Sequence, residues 1–205
     1  SSVLDITYKT PAKSETSVEA SLLGGSISHS TVKNNISAIF GARFRDNQLL
    51  VNQKETSAQF QPSFADIQNF VTFQKQESWK FQFLGSISKN DYNYAPQTRK
   101  TNFGTIADPR SLIVYYSGEE KDVYQTYLGA LKTTYEPNKK TQYTLTTSVY
   151  HTKEQEYFDI LAQYLLGSPN AEIGSEDLGE ISFAEGVGSQ HTHGRNDFDA
   201  LISSI

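Results

Sequence analysis

The sequence predicts an all-β, antiparallel fold whose strands form part of a transmembrane β-barrel wall. Three observations predict it. Apolar residues recur at every second position over long stretches, the period of a strand and not of a helix. Several stretches outrun the ~5–6 residues of an ordinary soluble strand and reach the ~9–11 that a tilted strand needs to cross a bilayer. Short and longer connections alternate along the chain, and an up-and-down sheet sorts these onto opposite rims. Strands are expected at residues 15–22, 26–32, 35–50, 57–74, 78–95, 121–136, 141–160 and 195–205.

The first two predicted strands meet through the tight LLGG connection, Leu22 to Gly25, which falls on the rim of the longer connections and is the exception to the alternation. In NISAIFGARFRDN, Ile36, Ala38, Phe40, Ala42 and Phe44 share one face, and Ser37, Gly41, Arg43 and Arg45 the other, with Ile39 among them. In FADIQNFVTFQ, Ala65, Ile67, Val71 and Phe73 oppose Asp66, Gln68 and Thr72, with Asn69 and Phe70 out of pattern. ESWKFQFLGSISKN sets Trp79, Phe81, Phe83, Gly85 and Ile87 against Lys80, Gln82, Ser86 and Ser88, Leu84 excepted. In DVYQTYLGALKTTY, Val123, Tyr127, Leu131 and Tyr135 oppose Thr126, Lys132 and Thr134. In TQYTLTTSVYHT, Tyr143, Leu145, Thr147 and Val149 oppose Gln142, Thr144, Thr146 and Ser148.

Such a face looks either at the core of a soluble sheet or at lipid. The connections favour lipid. VKNN, KQES and EPNKK are short turn sequences, and the longer connections are expected at 51–56, 96–120 and 161–194. A Greek-key sandwich has no reason to alternate so regularly. Trp79, Phe73, Tyr135 and Tyr143 lie beside the short turns. An interfacial aromatic girdle belongs there, although aromatics are also good strand formers. On this reading Trp79, Phe81, Phe83 and Ile87 meet lipid, and Lys80, Gln82 and Ser86 face a lumen.

Composition narrows the function classes. A net charge of −5 and a pI near 5.4 argue against a nucleic-acid binder. With no cysteine there is no disulfide framework, thiolate nucleophile or cysteine zinc site. No apolar run approaches the ~20 residues of a membrane helix, which leaves a β-barrel open. There is no G-x-x-x-x-G-K phosphate loop and no H-E-x-x-H. His151 in VYHTKEQE, His191 and His193 in QHTHG, and the acidic Glu119–Asp122 and Glu176–Asp177 runs read as solvated rim residues. We therefore expect no catalytic residue, no cofactor and no metal. Arg43, Arg45 and Lys132 face inward, as wall-to-plug ion partners or along a ligand path, and Tyr92 and Tyr94 are candidate ligand contacts near the outer rim.

The blocks SSVLDITYKTP, SVEASLLGGSIS, FGARFRDNQLLVN, QPSFADIQNFVTFQ, FLGSISKNDYNYAPQTRKTNFGT, VYYSGEEKDVYQTYLGALKTTYEPN, VYHTKEQEYFDILAQYLLG, GSEDLGE and GRNDFDALIS, in this order, resemble the TonB-dependent outer-membrane receptors of Bacteroidota. The resemblance implies a plugged barrel of roughly 22 strands. Residues 1–13 would be the C-terminal end of the plug domain and residues 14–205 the N-terminal portion of the barrel. Both termini are strand-like, so the chain is expected to be an interior segment of a longer polypeptide. The implied location is the Gram-negative cell outer membrane. The implied partners are its lipid, the TonB complex acting through the plug, possible surface lipoprotein lids, and a siderophore, glycan, peptide or vitamin-like ligand. Three other readings stay open: a receptor-like barrel serving as a structural subunit of a larger outer-membrane complex, a free-standing eight-stranded barrel, and a soluble β-sandwich binding module.

Overall fold

The computed structural model describes residues 7–48 and 58–205. Over them the chain forms nine strands: β1 (Glu15–Ser21), β2 (Gly24–Lys33), β3 (Ile36–Asp46), β4 (Ala58–Lys75), β5 (Trp79–Pro96), β6 (Arg99–Gly104), β7 (Pro109–Asn138), β8 (Thr141–Pro169) and β9 (Ile181–Ser204). They make one antiparallel sheet in the order β1-β2-β3-β4-β5-β7-β8-β9, with β6 also on β7. The sheet is open, with β1 and β9 at its two edges. Among the described residues no helix is long and apolar enough to cross a membrane.

Period 2 holds as the sequence requires. Residues paired directly across an antiparallel ladder point to the same side. Phe83 pairs with Val71 and Leu131, and Val71 with Ala38, so these form one apolar row. One step along, Gln82 pairs with Thr72 and Lys132, and Thr72 with Ser37. The sheet thus has an apolar face and a polar face, divided as the alternation predicts. β2–β3 and β4–β5 are closed by tight turns that need a left-handed residue, Asn34 at φ 53° and Gln76 at φ 55°. Asparagine tolerates that conformation well. Gln76 is helped by Gln74, whose side-chain amide donates to the Gln76 carbonyl at 3.1 Å.

The predicted connections need correction. Residues 96–120 are not a loop: β6 continues β5 along the same side of β7. Tyr94 faces Glu120 and Arg99 faces Val114, five residues on one strand against six on the other, a one-residue step in register. Only Thr105 to Asp108 turns the chain. Likewise 161–194 is mostly strand, since β8 runs to Pro169 and β9 starts at Ile181. The predicted strands at 121–136, 141–160 and 195–205 are therefore the lower parts of β7, β8 and β9. The expected 51–56 connection lies outside the described residues. The two rims differ less in loop length than in how far the strands run beyond the alternating zone. The reason the sequence hid this is local: LIVYY, 112–116, and LAQYLL, 161–166, are apolar on both faces, so period 2 fades.

The sheet has no core of its own. Ile113 is the one apolar side chain buried among the described residues. The accessible surface is 14695 Å², against about 9,600 Å² expected for a compact monomer of this mass. Sheets in folded domains hide at least one face, whereas the described residues leave the apolar face of this one exposed.

Candidate functional site

The apolar face carries a continuous band. Its lowest row is Trp79–Tyr135–Tyr143, with Trp79 stacked on Tyr135 at 4.3 Å and Tyr135 on Tyr143 at 6.4 Å. Above it come the rows of Ile36, Phe73, Phe81, Thr133 and Leu145, then of Ala38, Val71, Phe83, Leu131 and Thr147, then of Phe40, Asn69, Gly85, Gly129 and Val149, where Asn69 is a polar break in the band. The top row is Ile27, Ala42, Ile67, Ile87, Tyr127, His151 and Leu201. The next row changes character to Lys89, Gln125, Lys153 and Asp199 on β5 to β9. From Trp79 to Ile87 the band runs roughly 26 Å along the strand at ~3.3 Å per residue. A tilt of about 40° reduces that to roughly 20 Å of depth, near the ~25 Å apolar belt of outer-membrane barrels. Its side chains are exposed, Ile87 to 53% and Leu145 to 55%.

The polar face holds the predicted inward cations. Arg43 of β3 forks onto Asp66 of β4, Nε to Oδ1 at 3.1 Å and Nη2 to Oδ2 at 3.0 Å, directly across the ladder. Its guanidinium also lies 4.8 Å from the Phe64 ring centre. Arg45 donates to Glu19 at 3.2 Å and to Ser21 Oγ at 3.1 Å on β1. These two arginines therefore stitch β1, β3 and β4 together. Lys132 lies beside Gln82 and Thr146 with no ion pair among the described residues. The N-terminal segment crosses this face: Tyr8 stacks on Phe70 at 4.8 Å and its hydroxyl donates to Gln68 at 3.5 Å. The proposed plug-to-barrel boundary at residue 13 falls just before β1, and residues 1–6 lie outside the described residues.

Above the band, the same face turns acidic and aromatic. Tyr92 pairs with Asp122 and Tyr94 with Glu120 across β5–β7; Asp122 pairs with Glu156, and Tyr124 with Glu154, across β7–β8. Tyr124 Oη donates to Glu156 at 2.8 Å, and Asn196 of β9 donates to the other oxygen at 3.1 Å. These two donors hold the Glu156 carboxyl below its usual range. That hydrogen bond, with burial and nearby carboxylates, pushes the Tyr124 phenol up to about 12. Burial first, then Asp122 and Glu156, raises Glu120. Burial and Glu156 raise Asp122 against a backbone hydrogen bond at Tyr157. A depression of about 400 Å³ opens beside Glu120, Asp122, Glu156, Phe158, Gly194, Arg195 and Asn196. Phe60 packs on Tyr94 at 4.7 Å and on Tyr92 at 5.9 Å.

Strand alternation divides the run Glu119–Asp122, which the sequence reading took as one charged tip. Glu120 and Asp122 join the polar face, while Glu119 and Lys121 point the other way, opposite Asp159 and Tyr157. Sequence reasoning found Tyr92 and Tyr94 but missed their carboxylate partners, and placing 120–124 in register with 154–156 would have revealed them. His191 and His193 lie on β9, not in a loop, with His191 2.6 Å from Asp159. His151 sits 2.7 Å from Asp199 and stacks on Tyr127. Glu176 and Asp177 lie in the connection from β8 to β9. Among the described residues no group of three or more His, Asp or Glu is placed to hold a metal. Compared with known proteins, the chain matches no protein-family model, no curated relative and no solved structure.

Proposed function

We propose that this chain is part of the wall of an outer-membrane β-barrel of the TonB-dependent receptor type, which binds an extracellular ligand and imports it with energy from the TonB system. The observation that carries the reading is the apolar band: exposed, five rows deep, edged by stacked aromatics below and by Lys89 and Lys153 above. Lipid covers such a band without a second protein layer. The polar face then looks into the lumen, where the N-terminal segment already lies with Tyr8 on Phe70. Both sheet edges carry unpaired backbone groups, which lipid does not tolerate, so further strands complete the wall. Within such a wall the chain itself performs no catalysis. It seals the membrane, anchors the inner element and shapes the outer vestibule.

Eight traverses could also close as a small barrel. Against that, β1 has 7 residues and β9 has 24, and they do not pair. The test is fractionation of the native parent polypeptide followed by intact-mass analysis. The expected result is an outer-membrane protein several times heavier than 22.9 kDa, extracted only by detergent. A protein of that size found folded in buffer without detergent would overturn the proposal.

A further inference from the structure

Two hollows lie one above the other on the apolar face. The lower one interrupts the band. Gly85 and Gly129 pair across β5–β7, and with no side chain at either, a hollow of about 410 Å³ opens between Ile67, Ile87, Tyr127 and Val149. Asn69 folds its amide over Gly85, within 3.0 Å of where a Cβ there would stand, whereas nothing lies within 4 Å of a Cβ at Gly129. The open floor is therefore Gly129. The upper hollow begins one row above Tyr127 and His151. It measures about 370 Å³ and lies between Gln125, Lys153, Gln155, Asp197 and Asp199. It sets one lysine against two aspartates. Asp199 meets His151 at 2.7 Å and Lys153 at 3.7 Å, and Asp197 meets Arg195 at 2.5 Å and Gln155 at 3.3 Å. Lys153 is 50% and Asp199 62% exposed. Exposed pairs of this kind contribute about 1 kcal/mol or less, so a guest can exchange them.

We infer that the two hollows together hold one amphiphile: an acyl chain over Gly129 and, above it, a zwitterionic headgroup of the phosphoethanolamine type. The inference rests on the reading of the band as lipid-facing. The order of charge along the strands matches such a molecule. Lys153 and Gln125 stand in the first row above the band, and Asp197 and Gln155 in the next, about 6.6 Å further at ~3.3 Å per residue. In the headgroup the phosphate lies next to the chains and the primary ammonium beyond it. The phosphate then accepts from Lys153, and the ammonium donates to Asp197 and Asp199, by charge-assisted hydrogen bonds. A purely anionic headgroup would bring more negative charge to the two aspartates. A choline headgroup has no N–H to donate. An apolar partner helix would fill the lower hollow and leave the upper one unused. Lys89 shares the row of Lys153, but it pairs with Asp91 at 2.8 Å and stands outside the upper hollow.

The test uses the full parent chain in detergent, titrated separately with the dioleoyl forms of phosphatidylethanolamine, phosphatidylcholine and phosphatidylglycerol. Bound lipid is counted by native mass spectrometry. The expected result is one phosphatidylethanolamine held roughly 10-fold more tightly than either other lipid, the worth of a charge-assisted contact. Gly129→Leu fills the lower hollow and should bring phosphatidylethanolamine down to the level of the other two, while the band, richer by one apolar side chain, still inserts. Asp197→Asn with Asp199→Asn should abolish the preference over phosphatidylcholine through the headgroup. Equal retention of the three lipids, a preference for either of the other two, or a phosphatidylethanolamine preference that survives both variants would each overturn the inference. Insertion into vesicles is scored separately by heat-dependent gel mobility. A chain that inserts without the preference refutes the lipid site and leaves the barrel standing. A chain that does not insert refutes the barrel reading and the site with it.

Discussion

Phe83 and Gln82 are neighbours in sequence and opposites in environment, which makes them the sharpest probe of the fold. Phe83 stands in the middle of the five apolar rows, between Val71 and Leu131. Gln82 stands between Thr72 and Lys132 on the polar face. With lipid over the band, as proposed, an arginine at 83 would put a guanidinium near the bilayer midplane, at a cost of roughly 2–4 kcal/mol. That is a shift of roughly 30- to 1,000-fold in the folded-to-unfolded ratio. An arginine at 82 meets only Lys132 as a like charge in a hydrated lumen, about 1 kcal/mol or less. The assay is urea-driven unfolding of the parent chain in lipid vesicles, read by the heat-dependent gel mobility of folded barrels. Phe83→Arg is expected to lower the midpoint strongly and Gln82→Arg barely. Phe81→Arg, one row above the aromatic ladder, should fall between them, because the cost declines toward the interface. Equal losses at 82 and 83 would refute the facing assignment, and a larger loss at 82 would invert it.

Further perturbations probe the polar face and the extended strands. Arg43→Ala strips the fork from Asp66, whose side chain is 7% exposed while the arginine is 47% exposed. Loss of a fully buried partner costs ~3–5 kcal/mol, so half-exposure brings the expected loss to roughly 1–3 kcal/mol in the same urea titration, with Arg43→Lys recovering only part because it cannot fork. Gly118 sits at φ +97° against the Asp159 carbonyl, so Gly118→Ala should raise amide exchange across the upper β7–β8 pairing while insertion survives. Glu156→Gln removes the carboxylate that holds the Tyr124 proton, so tyrosinate absorbance should show a phenol titrating below about 12. Glu120 and Asp122 titrate above their ordinary 4.5 and 3.8. Their raised carboxyls favour the folded state in acid and lose that contribution as pH rises through the folded values.

The sequence was most readable where one face met something apolar and the other something wet. Between Trp79 and Ile87 that contrast writes the strand, its facing and its partners into every second residue. Arg43 was legible as inward-facing, but its fork onto Asp66 was not, because that contact depends on the β3–β4 register. Above the band both environments become mixed. LIVYY on β7 lies opposite LAQYLL on β8, and a strand apolar on both sides has no period to detect. The same change of environment hid the acidic vestibule: Glu120, Asp122 and Glu156 are ordinary charged residues until a ladder places them together.

What the band and the vestibule have in common is that each is incomplete as the chain stands. The band exposes apolar rows that lipid would cover on the proposed reading, and the upper polar face gathers carboxylates with no salt bridge among the described residues. Arg43 and Arg45 show that this wall supplies its own cations where carboxylates serve only to hold strands together. Beside the cluster β7 and β8 have lysines too, at positions 121 and 153, but alternation turns both toward the other face, and Lys132, on the polar face, lies ten residues down β7 from Asp122. Moving either lysine by one residue would set one positive charge beside the cluster, since alternation decides the face. Alternation, and not a shortage of nearby lysines, keeps these carboxylates apart from the strand cations within the described sheet.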